Sequence, residues 1–396
     1  MSAVRGAARA PQSAVLPSAE TSASVGVGVT NIPAPAVFLS DSLSVYLDVV
    51  RFLAAFAVLV GHLDQDGGYA AWLVIGDFSH AAVVVFFVLS GLVISHAAYA
   101  RQADWQAYVV ARFARIYSVV LPAVALSFAI KAFAVWLDPV NLSAEFHAND
   151  LRLGNVLGSV FFLNEAWSLT TDLPWSGPFW SLCYEVWYYI LFGLVMFTRG
   201  ATRGILTSLA ALVAGPAILL LFPLWLLGAW LVKHGARCVV SPTLSRLIWG
   251  GSLVAFIVLN ESGIDVALRI HLHDVVPGFW RLESAQRFVT DYCLGVLVAA
   301  NFIAFRGLGP RAQQCMQVLK RPVIWLAGYT FSLYLFHRPL THLVGHFMPN
   351  SGQSKAISMM WLLLILAVCF ALGQVTEQRK QFFRALARRA LSTLAR

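Results

Sequence analysis

Charge is scarce in this chain. Only 12% of its 396 residues are Asp, Glu, Lys or Arg, against 59% apolar, a ratio that excludes an ordinary water-soluble enzyme. Cysteine is sparse as well. The five (Cys183, Cys238, Cys293, Cys315 and Cys369) are scattered, four of them in or beside apolar runs, with no paired spacing. That argues against a disulfide framework or a cysteine metal centre, and no metal is expected. The sequence also lacks an internal repeat and a glycine-rich phosphate loop. Residues 1 to about 40 contain no uninterrupted apolar core followed by a cleavage-type site, so no signal peptide is read there. Being rich in Ala, Ser, Pro, Val and Gly, residues 1–42 are expected to form a disordered cytoplasmic tail.

What the chain has in quantity is continuous apolar sequence. Several runs are longer than about 18 residues, the length that crosses a bilayer as a helix. They do not alternate with period two, which excludes a β-barrel. The expected fold is an all-α integral membrane protein with helices near 46–63, 79–98, 114–136, 180–198, 204–221, 223–235, 246–260, 286–306, 323–347 and 356–377. Pro216 and Pro223 bracket the approach to the short sixth segment, so the fifth and sixth are expected to form a broken pair.

The net charge of +9 comes from basic residues clustered at helix ends, which excludes nucleic acid as a partner. Arg101, Arg112 and Arg115 follow the second helix, Arg199 and Arg203 the fourth, and Lys233, Arg237 and Arg246 the sixth. Arg306, Arg311, Lys320 and Arg321 follow the eighth, and Arg379, Lys380, Arg384, Arg388 and Arg389 the tenth. The opposite loops carry most of the acidic residues. By the positive-inside rule both termini are cytoplasmic. Residues 43–377 then form the membrane domain and 378–396 a basic amphipathic cytoplasmic tail. Trp105 to Tyr117 and residues 381–396 both fit helices lying on the membrane surface.

Five segments could carry chemistry. Arg51 and His62 stand ten residues apart in one apolar run. Eleven helical steps make three turns plus about 20° and a rise of about 16 Å, which puts both on one face, the arginine toward the cytoplasm. Ionisable groups in lipid are costly and face a partner or a cavity. Asp48 can pair locally with Arg51. The second segment, Phe86 to Gly91, ends in Ser90 and Gly91, small enough to admit a neighbouring helix or a ligand. Third, Arg112 and Arg115 suit phosphates, or equally lipid headgroups. Fourth, Trp180 to Tyr189 contains Glu185, the lone carboxylate of an aromatic helix. Its aromatics could form an interface belt or a platform for sugar rings. Fifth, Tyr329 to Pro339 holds His337 with Tyr334 one turn away; a satisfied structural histidine is the default reading there.

In this order, the five segments resemble the integral membrane acyltransferases of the acyltransferase-three family, which includes polysaccharide and lipopolysaccharide O-acetyltransferases. The family's arginine, ten residues, then histidine is matched by Arg51 and His62, and its Phe-Phe-x-Leu-Ser-Gly by Phe86 to Gly91. Its paired arginines are matched by Arg112 and Arg115, its Trp-Ser-Leu-x-x-Glu by Trp180 to Glu185, and its late Ser-Leu-Tyr-Leu-x-His-x-Pro by Ser332 to Pro339. The resemblance runs from about 43 to 376. The family commonly has proline directly after the Arg-x-x-Arg-Ile-Tyr run, where this chain has Ser118, with Pro122 one turn later. Some members add a hydrolase-like domain outside the membrane, and none is expected here.

The resemblance implies a membrane acyltransferase taking an acyl group, acetyl foremost, from acyl-CoA to a hydroxyl of a cell-surface carbohydrate or glycolipid. An exopolysaccharide or lipopolysaccharide in contact with a bacterial inner membrane fits. In that reading His62 is the base or the transient acyl carrier, with Glu185 orienting it and Arg51 stabilising the thioester oxygen or orienting the donor. Arg112, Arg115 and Ser90 would bind acyl-CoA, and Trp180, Tyr334 and His337 the acceptor. Membrane lipids are the other expected partners, and a homodimer is compatible with the reading. The alternative is a secondary transporter of a sugar or organic acid, against which the missing repeat counts.

Overall fold

A computed structural model describes residues 38–67, 77–100, 104–167, 169, 171 and 173–394. The tail expected over 1–42 falls outside these residues as far as residue 37. Phe38 is already part of the fold, buried beneath the Arg306 guanidinium at 5.0 Å. Ser40 then caps the first helix, its hydroxyl accepting the Leu43 amide at 3.2 Å. No strand occurs among the described residues, and the chain is an all-α membrane protein.

The first three long helices are α1 (Asp41–Gln65), α2 (Ser79–Ala100) and α3 (Trp105–Leu137). The stretch Trp105 to Tyr117, expected to lie separately on the membrane surface, forms the first turns of α3. Its 33 residues rise about 50 Å, well beyond a hydrocarbon core of about 30 Å, so α3 extends past the bilayer. Pro122 sits inside it without ending it. Short helices α4 (Pro139–Glu145) and α5 (Leu153–Val160) build the outer loop. That loop is anchored by Lys131 of α3, which is 1% exposed and bonds Glu145 at 2.7 Å beneath the Trp175 ring at 4.6 Å. A buried ammonium needs such partners.

Next come α6 (Phe179–Phe197), α7 (Gly200–Ala214) and α8 (Pro216–His234). The expected break between the fifth and sixth spans lies earlier than anticipated. Gly215, at φ 84°, and Pro216 end one helix and begin the other, while Pro223 lies inside an unbroken α8. Glycine adopts that positive φ without strain, and proline suits the first turn of the next helix. The series continues through α9 (Pro242–Glu261), α10 (Ile264–Val275), α11 (Phe288–Arg306), α12 (Pro310–Ala327), α13 (Thr330–Phe347), α14 (Lys355–Val375) and α15 (Lys380–Leu394). The span expected over 323–347 is divided at Gly328 and Tyr329. Its first part belongs to amphipathic α12, which packs on α1, and α15 packs along α3. Among the described residues, eight helical stretches are long and apolar enough to cross a bilayer; α7 and α13 are the shorter or more polar of the ten expected.

Helix α2 lies at the centre and packs most extensively on α8. Gly91 and Gly228 make this possible, since a methyl at Gly91 would overlap the Trp225 carbonyl and one at Gly228 the Val88 carbonyl. Small residues let two backbones close on one another in lipid. Gly91→Leu should therefore separate the pair, at a cost of at least about 1–3 kcal/mol for overpacking. The expected result is a sharply lower melting temperature and loss of monodisperse protein in detergent; an unchanged melt would contradict this packing.

Candidate active site

Two cavities lie end to end between α1, α2, α6 and α13. The inner one, about 60 Å3, is lined by Arg51, Ser90, Arg115, Glu185, Tyr189 and Phe331 among others. The outer one, about 230 Å3, is lined by His62, Asp77, His80, Trp180, Arg287 and Glu283 among others. Tyr334 lines both. Its hydroxyl is tied to Ser181 Oγ at 2.6 Å and donates to the Pro178 carbonyl at 3.2 Å, so its ring stands between the two chambers. The helical register that put Arg51 and His62 on one face of α1 gives each a chamber of its own.

In the inner cavity one oxygen of Glu185 accepts the Ser90 hydroxyl at 2.6 Å and the Tyr189 hydroxyl. Trp225 of α8 donates its indole N–H to Ser90 Oγ at 3.2 Å. Arg51 bonds Asp48 at 2.8 Å. Glu185, Asp48 and Glu377 all lie within electrostatic reach of Arg51 and Arg115. Glu377 in turn accepts the Ser332 amide and hydroxyl at 3.0 and 2.9 Å. The cations here are already matched by carboxylates.

Arg112 and Arg115 do not share a destination. Arg115 faces the inner cavity. Arg112 lies at 5.8 Å from the Tyr189 ring and lines an apolar groove of about 620 Å3 between α3 and α6. Its Nε is buried without a hydrogen-bond partner. Tyr189 separates the two guanidiniums by lining both spaces.

In the outer cavity the partner of His62 is His337. Nδ1 of His62 lies 2.8 Å from Nε2 of His337, and Nδ1 of His337 lies 2.8 Å from the Leu333 carbonyl. A carbonyl only accepts, so His337 Nδ1 carries a proton and its Nε2 is the acceptor. His62 then donates through Nδ1, and its Nε2 keeps a free lone pair in the chamber. Among the described residues no carboxylate bonds either ring, which fits this neutral assignment. The expected Glu185–His62 pairing is not formed: no hydrogen bond joins them among the described residues, and they line different cavities. Helix register sets depth but not azimuth, and α6 turns Glu185 toward α2 and α3. His337, expected to bind the acceptor, is 0% exposed with both nitrogens occupied, so it supports His62 from behind. Ser90 is likewise engaged by Glu185 and Trp225. Trp180 faces the outer cavity, stacked on His80 at 5.9 Å.

The rim of this chamber carries charge. Burial favours the neutral form of Asp77, but hydrogen bonds from the Ser79 hydroxyl, the Ser79 amide and Gln65 outweigh it and hold the carboxyl below its usual range. Arg338 is held by Asp66 at 2.6 Å and reaches the His62 carbonyl at 3.3 Å. His80 and Asp291, which no sequence motif marks, bond each other at 3.0 Å, His80 lining this chamber and Asp291 buried behind it. The signal was there: Asp291 is the single carboxylate of apolar α11, as Glu185 is of α6.

Residues 44–374 match the acyltransferase-three family, described as an acyltransferase domain. The chain belongs to that family. No curated protein and no solved structure gives a significant match. As a membrane acyltransferase, the protein places the family's five segments around the two chambers: Arg51 and Glu185 in the inner one, His62 and Trp180 in the outer, with Tyr334 between them.

Proposed function

We propose that this acyltransferase takes an acyl group, acetyl foremost, from acyl-CoA at its basic, cytoplasmic face. It delivers the group to a hydroxyl of a carbohydrate or glycolipid reached from the opposite face of the cell membrane, in a bacterium the inner membrane. One observation carries the reading: His62 presents an unbonded Nε2 lone pair to a chamber with room for a sugar-sized group, beside an aromatic wall. Trp180 offers the apolar face on which a sugar ring stacks. His62 either accepts the hydroxyl proton or carries the acyl group.

The inner chamber suits a narrow thioester arm, with apolar walls at Phe86, Val93 and Phe331 and guanidiniums at Arg51 and Arg115. Acyl-CoA would supply the activated carbonyl. Arg51 would orient the arm through one of its amide carbonyls, so that the thioester passes Tyr334 to reach His62, and a nucleotide, too large for this chamber, would remain at the basic face. The buried, unpartnered Arg112 Nε is a donor to spare for such an anion.

The two arginines are not expected to act alike. Arg115→Gln should raise KM for acyl-CoA by roughly tenfold or more, the loss of one charge-assisted bond of about 1.5–3 kcal/mol, with KM for the acceptor unchanged. Arg112→Gln, across Tyr189, should have a smaller effect. Equal effects, or a rise confined to the acceptor, would misplace both. Arg51→Lys should be severely impaired, because an ammonium cannot keep Asp48 and a carbonyl oxygen in one planar fork; near-normal turnover would mean that charge alone suffices. Mass spectrometry of cell-surface glycans and lipids with and without the protein tests the whole reading. A difference of one acyl group on a hydroxyl is expected, and identical spectra would sink it.

A further inference from the structure

The outer chamber holds a second histidine. His80, in the first turn of α2, is bonded through Nε2 to both oxygens of Asp291, at 3.0 and 3.1 Å. Asp291 is 1% exposed and comes from α11. A carboxylate only accepts, so Nε2 of His80 carries the proton and Nδ1 has the lone pair. Trp180 is stacked on the imidazole, and no protein group among the described residues bonds Nδ1. Asp77, Arg269, Glu283, Arg287, His62 and Tyr334 are the other charged or titratable groups lining the chamber.

The two histidines differ in what stands behind them. A proton accepted by His80 meets the buried Asp291 carboxylate. A proton accepted by His62 meets only the His337 ring and the Leu333 carbonyl, with the Arg338 guanidinium bonded to its own backbone oxygen. The Asp291 carboxylate can pair with the proton that His80 takes up, and no carboxylate bonds His62 or His337 among the described residues. A free, neutral lone pair is what a nucleophile needs, whereas a base needs a stabilised conjugate acid.

We propose that His80, held by Asp291, is the general base for the acceptor hydroxyl, and that His62 is the nucleophile that carries the acyl group. This rests on the acyl-transfer reading above. The His62 Nε2 lone pair attacks the thioester carbonyl carbon. The carbon–sulfur bond breaks, and its electron pair leaves with the thiolate, which takes a proton from water. His62 keeps its Nδ1 proton, shared with His337. The acceptor then loses its hydroxyl proton to His80 Nδ1 as its oxygen attacks the acyl carbon. The carbon–nitrogen bond breaks and its electrons return to His62 Nε2. His80 passes its proton to water, neutralising the hydroxide left in the first step.

The test uses the full chain in lipid nanodiscs with labelled acetyl-CoA and no acceptor, alongside O-acyl analysis of the surface of cells expressing the same variants. His80→Ala, His80→Gln and the shape-preserving Asp291→Asn should each lower surface O-acylation, His80→Ala by roughly 100-fold or more. The His80 variants should accumulate more hydroxylamine-labile label on the protein than wild type. Added imidazole should restore transfer in His80→Ala, which a merely structural tether between α2 and α11 would not allow. Wild-type surface O-acylation in folded His80→Gln overturns the proposal. So does a loss of transfer with no label on the protein and no rescue. If wild type itself leaves no surface product, the acyl-transfer reading fails instead.

Discussion

His62→Ala is expected to abolish acyl transfer, by roughly 100-fold to 10,000-fold for loss of a group acting directly on the reacting atoms, while the protein folds and inserts normally. Two structural facts make the two effects separable. The ring projects into a chamber, so its removal leaves space contiguous with space already present. The α1 backbone around it is buried among apolar residues that do not change. The neighbour that suffers is His337, whose Nε2 loses a donor and can take water from the chamber. Turnover and thermal melting of the purified variant check this together. Wild-type turnover would make His62 structural and move the search for the reacting group to His80.

Glu185→Gln should be the most damaging single change in the inner chamber. The amide keeps the shape and can still accept the Ser90 and Tyr189 hydroxyls, so only the charge is lost. That charge is one of three carboxylates set against Arg51 and Arg115, with Arg112 behind Tyr189. Removing one partner from a buried ionic cluster costs about 3–5 kcal/mol, because the remaining charges stay desolvated. A marked drop in melting temperature and loss of transfer are both expected. Ser90→Ala, which leaves the carboxylate in place, should cost only about 1–3 kcal/mol. A Glu185→Gln protein as stable and active as wild type would mean that Asp48 and Glu377 alone balance the arginines.

The membrane class and most helices were legible from apolar run length, because lipid forces every span to satisfy its own backbone hydrogen bonds. The helices misjudged were those whose ends depend on neighbours. Pro223 is accommodated within α8, Gly215 decides the break before it, and Gly328 divides α12 from α13. Arg51, His62 and Glu185 were conspicuous because ionisable groups in lipid stand out one at a time. Asp291 carried the same signal, and was missed because no motif surrounded it.

Partnership was the part that sequence could not supply. Spacing along α1 determined that Arg51 and His62 share a face about 16 Å apart, and charge at the helix ends gave the expectation of which way that face points. Neither says which neighbouring helix presents what. Only the packed structure decided that Glu185 turns to Ser90 and Tyr189, that Arg112 and Arg115 part around Tyr189, and that His62 leans on His337 while His80 leans on Asp291. The physical reason is the separation of these partners along the chain, 275 residues for His62 and His337 and 211 for His80 and Asp291. Helical periodicity orders side chains within one helix; the azimuth of each helix against the others is set by which small residues, such as Gly91 and Gly228, let backbones meet.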